Sequence, residues 1–251
     1  MTQATWVARG RRRRPPQLRL ADGSRAQGEW LELLEVAEHL LEANEGVALA
    51  PELTFPARSE PGADTVTSDA SGIDGVGGYV FGASAPGAVW LVSEQWPTDI
   101  LAALQEAARE GGARQGVPSL SMPAAELFGV VAVAEAVAAA RGTPPSAVTA
   151  VGDCDPAMGA LNTASSGNAQ MRVMLGAARA LTSQWLAVSV PREANVDADR
   201  LSHPELYGEV AASAEAAGLT VQRARITASS WAMLRRAAAL GARNARRAAG
   251  D

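Results

Sequence analysis

Four carboxylates stand where an acid is either costly or conspicuous: Asp69, Glu126, Asp153 and Asp199. Asp69 closes the β-branched run "TVTSD" directly before a glycine-rich reversal, "ASGIDGVGGYVF". An Asp there either bonds locally in a hairpin turn or is presented from a sheet as a metal ligand. Glu126 sits in the first turn or so of an apolar helix expected over 123–140, and its neighbours at +4, +7 and +11 are Val130, Val133 and Val137. It heads a core-facing stripe, where an unpaired carboxylate is destabilising unless a metal or a partner compensates. The helix dipole also favours an acid at that end, so the residue alone leaves both readings open. Asp153 follows "VTAVG" at the carboxyl end of an expected strand, where α/β sheets commonly bind ligands. Asp199 lies in "NVDADRLSH", early in a helix whose expected N-cap is Asn195, and dipole complementarity competes with a ligand role there too.

Taken together the acids say more. Parallel neighbouring strands would set Asp69 and Asp153 side by side, with Glu126 arriving from the crossover helix. Carboxylates that close repel one another and raise each other's pKa. A divalent cation resolves the conflict, and Mg²⁺ suits an all-oxygen ligand set completed by water. Asp155 is a rival ligand, because strand alternation would send it to the same face as Asp153. Pro156 instead favours a helix start, which makes Asp155 a capping residue. Other metal chemistry is excluded by composition. With only His39 and His203 a histidine-rich zinc site is ruled out, and the single Cys154 rules out an intramolecular disulfide and suits a reducing compartment. His203, beyond the last acid, is expected on the surface.

The elements that must position these acids can be read from the pattern. At 251 residues and 47% apolar, the chain suits one sizeable domain with extensions. No apolar run follows the N-terminal arginines and none is read as a membrane span, so an intracellular location, nuclear or cytoplasmic, and no membrane partner are expected. Lysine is absent. Residues 1–28 carry seven Arg against Asp22, and 220–251 carry seven against Asp251, whereas 29–219 hold eight Arg and twenty-five acids, a net charge of −17. Any nucleic-acid partner must therefore be attracted largely through the ends or through metal ions. Residues 1–28, with "RGRRRRPP", read as a disordered basic tail. An amphipathic helix over 29–43 and an extended linker complete a segment to residue 63. Strands are expected at 64–69, 77–83, 88–93, 147–152 and 184–190, with helices at 97–110, 123–140, 156–164, 168–182 and from about 195. The first three strands have short connections and form an antiparallel meander. Residues 205–251 read as a helix–strand–helix extension. The order implies an α/β fold, a mixed sheet flanked by helices.

Across about 64–203 the chain resembles the ribonuclease H domains of retroelement reverse transcriptases. The blocks "SDASGIDGVGGYVF", "AAELFGVVAVAEA", "GDCDPAMGALNTASSG" and "VSVPREANVDADRLSHP" carry the resemblance. Residues 29–63, with "N-x-G-x-x-L-x-P" from Asn44, look like the connection segment preceding such domains. The resemblance implies an RNase H-like mixed five-stranded sheet over 64–204. It also implies four metal-binding catalytic acids, at Asp69, Glu126, Asp153 and Asp199. Two Mg²⁺ ions, with Mn²⁺ as the alternative, would support cleavage of the RNA strand of RNA–DNA hybrids. Asn162, Ser165 and Ser166 become candidates for contacts to the hybrid, and other parts of a retroelement polyprotein become candidate partners. Two departures stand out: "PREAN" lacks the histidine that cellular ribonucleases H carry before the last helix, and no polymerase Tyr-x-Asp-Asp motif occurs. A catalytically inactive binding domain on the same scaffold and a transposase-like strand-transfer enzyme are the competing expectations.

Overall fold

The structure is a computed structural model and describes residues 62–248, except residues 84, 86, 110, 111 and 115 and the side chains of 243–248. The expected basic tail of 1–28, and the connection-like helix and linker as far as residue 61, lie outside the described residues. Along the chain run β1 (Asp64–Ala70), β2 (Gly75–Phe81), β3 (Ala88–Gln95), α1 (Thr98–Ala107), α2 (Met122–Arg141), β4 (Val148–Gly152), α3 (Asp155–Thr163) and α4 (Ala169–Leu181). There follow β5 (Trp185–Ser189), α5 (Val196–Leu201), α6 (Tyr207–Ala216), β6 (Thr220–Arg223) and α7 (Ala228–Ala248). Every expected element within the described residues forms, with ends displaced by a few residues.

The strands make one mixed sheet of order β5-β4-β1-β2-β3-β6. β1, β2 and β3 are the antiparallel meander, while β4 runs parallel to β1 and β5 parallel to β4. The sheet has six strands where five were expected. β6, assigned from sequence to an extension, pairs parallel with β3 from Ala88↔Thr220 to Leu91↔Arg223 and satisfies what would otherwise be an open edge.

The helix α2 crosses one face of the sheet. Val130, Val133 and Val137 are buried as the stripe required, but so is nearly every other side, because α2 is enclosed among the sheet, α4 and α7. A helix apolar all round is a core helix in such a setting. Its 20 residues and mean hydropathy of 1.6 also meet the length and composition of a membrane span, which corrects the expectation that no run approaches one; 67% of the stretch is buried inside the fold. Val66, Val76 and Val80 of the sheet form the main core with Phe128 of α2, extended by Trp96 and Trp231 packed on Phe128. A smaller core on the opposite face joins Tyr79 and Leu91 to Leu201 of α5 and Val210 of α6.

The glycines of "GIDGVGGYVF" have a different purpose from the one expected. The β1–β2 turn is held by Ser71, whose Oγ donates to Asp74 and accepts the Ile73 and Asp74 amides. None of Gly72, Gly75, Gly77 and Gly78 has positive φ. Gly77 lies within β2, where a Cβ would stand 2.1 Å from the Leu201 carbonyl oxygen. Its missing side chain lets α5 rest directly on the sheet.

Candidate metal centre

The β1–β4 register pairs Thr67 with Val151, so continuing it by two residues sets Asp69 beside Asp153 just past the end of the ladder. Glu126 reaches the same point from the fifth residue of α2, at the start of its second turn. Gly129, one turn on, permits that approach: a Cβ there would meet Val76 Cγ2 at 3.2 Å and Ser68 Oγ at 3.4 Å. Asp69, Glu126 and Asp153 each bring a ligand oxygen to within 4.8 Å of the others. Strand adjacency and a close helix thus produce the expected convergence of three acids from three distant parts of the chain. The group could hold a metal ion, and its hard oxygen donors are of the kind that Mg²⁺ and Mn²⁺ accept.

The electrostatics follow from crowding and burial. Burial first, then the charges of Asp69 and Asp153, push the Glu126 carboxyl up to about 9, against an amide bond from Ala70 and the charge of Arg192. Asp69 is raised to about 6, again chiefly by burial; Ser202 hydrogen-bonds it in opposition, and Asp153 and Asp199 add to the rise. Carboxyls that resist ionisation this strongly are held at an unfavourable free energy, and a cation would relieve it.

Asp199, the fourth expected ligand, sits close enough to act on Asp69, but it is not part of the three-acid group. Its Oδ1 is 3.2 Å from Nη2 of Arg192, in the 3₁₀ turn before α5. Asn195 holds the N-cap position of α5 as expected, but its side chain makes no capping hydrogen bond. Instead its amide nitrogen donates to Ser68 O and to Asp153 Oδ1, both at 3.3 Å, so it grips β1 and the Asp153 carboxylate together. Its own Oδ1 is buried without a partner. Asp155 is the first residue of α3, with Cys154 in the capping position, and it accepts from Ser189 Oγ at the end of β5. The capping expectation for Asp155 is corrected, although its side chain is turned to β5 as a structural tie. His203 is half-buried and pairs with Asp74 at 2.9 Å, fastening the β1–β2 turn to the end of α5.

The candidates for hybrid contact occupy a different place. Asn162 donates from Nδ2 to Ala187 O at 2.7 Å and accepts the Ala187 amide at 2.8 Å, so its carboxamide mimics a strand against edge strand β5. Ser165 is exposed and bonds Thr163, while Ser166 accepts the Asn168 amide ahead of α4. Sequence reasoning missed Arg192, Ser202 and the true partners of Asn195. The one available signal was the single arginine in "PREAN", seven residues before Asp199. Comparison of the chain with family models, with curated proteins and with solved structures gives no significant match.

Proposed function

We propose that this chain is a metal-dependent endonuclease of the ribonuclease H type, cleaving the RNA strand of RNA–DNA hybrids. The observation that supports this best is the meeting of Asp69, Glu126 and Asp153, with ligand oxygens within 4.8 Å, at the carboxyl ends of parallel strands. The donor set is all carboxylate, two of its members are held well above their ordinary pKa, and α5 brings a further acid alongside. Divalent cations bound there would supply activation of water for in-line attack on phosphorus and neutralisation of the leaving 3′-oxygen.

The chain's own residues prepare the site. Asp69 and Asp153 present their oxygens from adjacent strands, whose register fixes their separation. Asn195 orients Asp153, Ser202 ties its hydroxyl to the Asp199 carbonyl beside Asp69, and Glu126 holds its proton at neutral pH. Selectivity for hybrid would rest on 2′-hydroxyl contacts across a minor groove, with Asn162 and Ser165 the exposed candidates. An inactive nucleic-acid-binding domain is the rival reading, favoured by the pairing of Asp199 with Arg192 rather than with the other acids.

The deciding experiment offers labelled RNA–DNA hybrid, duplex DNA and single-stranded RNA to the full chain in Mg²⁺ and in EDTA. Mg²⁺-dependent cleavage confined to the hybrid, and lost in Asp153→Asn, is expected. Binding of hybrid without cleavage would hand the site to the rival reading, and cutting of duplex DNA would move it to strand-transfer chemistry.

A further inference from the structure

Among the described residues, Arg192 is a cation beside the acid group, 3.2 Å from Asp199, and nothing in the proposed reaction uses it. It belongs to a short connection pinned at both ends. The Val190 amide bonds Gly152 O at 3.0 Å, which ties the connection to the end of β4. At the other end Asn195, only 1% exposed, holds Ser68 and Asp153. Between these anchors the Arg192 side chain is 79% exposed, so the backbone is leashed while the guanidinium keeps room to swing. It bonds Asp199, and its charge also acts on Asp69, Asp153 and Glu126. Asp199 is thereby drawn toward an arginine on the rim instead of into the three-acid group.

We infer that Arg192 is a tethered competitor for the divalent cation: it neutralises the Asp199 side of the acid group and must swing aside before that side can take a cation. The inference rests on reading the acid group as a cation site. Two positive charges directed at the same carboxylates repel each other, so occupancy by one weakens the hold of the other. The exposed arm makes the exchange inexpensive, because an exposed ion pair is worth little in water. Cation binding is accordingly graded by the local free arm, and any anion that captures the guanidinium favours loading of the site. A phosphate of the nucleic-acid backbone is such an anion, and arginine forks suit it well. Substrate and cation would then bind cooperatively through a single side chain.

The test is calorimetric titration of the full chain with Mn²⁺ alone, comparing wild type with Arg192→Met, Arg192→Lys and Asp153→Asn. Arg192→Met should bind Mn²⁺ roughly fivefold more tightly than wild type at low salt, the scale of one exposed ion pair. Arg192→Lys, which keeps the charge, should stay near wild type. The gap should narrow as salt is raised, because the arm is exposed and screened. Equal or weaker binding by Arg192→Met, with wild-type binding still abolished in Asp153→Asn, would overturn the competitor role and leave the cation site standing. Absence of Mn²⁺ binding in both wild type and Arg192→Met would remove the cation site and the competitor role together.

Discussion

Glu126→Gln should stabilise the protein in the presence of a chelator, and excess Mg²⁺ should remove most of that advantage over wild type. The Glu126 carboxyl is raised from 4.5 to about 9, chiefly by burial and then by Asp69 and Asp153. Between those two values the folded chain holds a proton that the unfolded chain has released, so folding takes up a proton. Stability must then fall as pH rises, being fully present below the ordinary pKa and lost as pH passes through the folded one. Each pH unit in that window costs ~1.4 kcal/mol, so at pH ~7.5 the penalty from this group reaches ~4 kcal/mol. Asp69, raised from 3.8 to about 6, adds a contribution of the same sign over its lower window. Part of the rise comes from the Asp69 and Asp153 charges, which can relax when Glu126 is replaced, so the gain on replacing it should be ~2–4 kcal/mol. Glutamine keeps an oxygen to accept the Ala70 amide and has no proton to take up. Urea denaturation in EDTA, from pH ~5 to ~9, should show the two proteins near parity at the acid end and Glu126→Gln increasingly ahead toward the alkaline end. Saturating Mg²⁺ should close most of that gap, because only wild type offers the third carboxylate and linkage to ligand at a hundredfold excess over Kd contributes ~2.7 kcal/mol. A difference between the proteins that is flat with pH in EDTA would refute the reasoning, since the penalty must grow with every proton the unfolded state loses.

Asp153→Asn should cut hybrid cleavage by at least about a hundredfold in a gel assay, because it removes a charged ligand of the acid group. Asp155→Asn should keep most activity and lose at most ~1 kcal/mol in denaturation, since its partner is Ser189 and an amide oxygen can still accept that hydroxyl. Gly77→Ala should lower stability by ~3 kcal/mol or more, because its Cβ would overlap the Leu201 carbonyl and lift α5 from the sheet. Its cation affinity, measured by titration, should fall as well. Asn162→Ala should lower stability by ~1–2 kcal/mol and promote concentration-dependent association in light scattering, because the Ala187 backbone on edge strand β5 loses both partners.

What could be read in advance depended on how local its cause was. "TVTSD" and "VTAVG" announce strands ending in an acid, and the valines after Glu126 announce the face of α2, so the meeting of Asp69, Glu126 and Asp153 followed from short-range pattern plus one assumption of parallel adjacency. β6 could not be placed that way. "TVQR" is only four residues long and not one of them is buried, so its place in the sheet is decided by the needs of β3, about 130 residues earlier. The glycines of β2 misled for a related reason. A glycine cluster after an acid suggests a turn, whereas the constraint on Gly77 comes from Leu201, which lies beyond most of the domain. Asn195 was given its usual local role as a cap, but the nearby Asp153 carboxylate and Ser68 carbonyl claim its side chain instead. Arg192 is legible only once Asp199 is known to lie across from it.

The pairing of Asp69 with Asp153 is set by hydrogen-bond register between β1 and β4, and the chain between them contributes nothing to their spacing. The turns between these strands and the connection before α2 can therefore gain or lose residues without moving the two carboxylates, provided the β1–β2–β3 pairing and the ladder from Asp64↔Val148 to Thr67↔Val151 are retained. Within that ladder the opposite holds, since a one-residue slip would turn Asp153 to the far side of the sheet. Length variation among descendants of this chain should accordingly gather in the turns and loops between the two strands and be purged from the few residues leading into each acid. The geometry of the acid pair is thus insulated from most of the sequence change the fold can absorb.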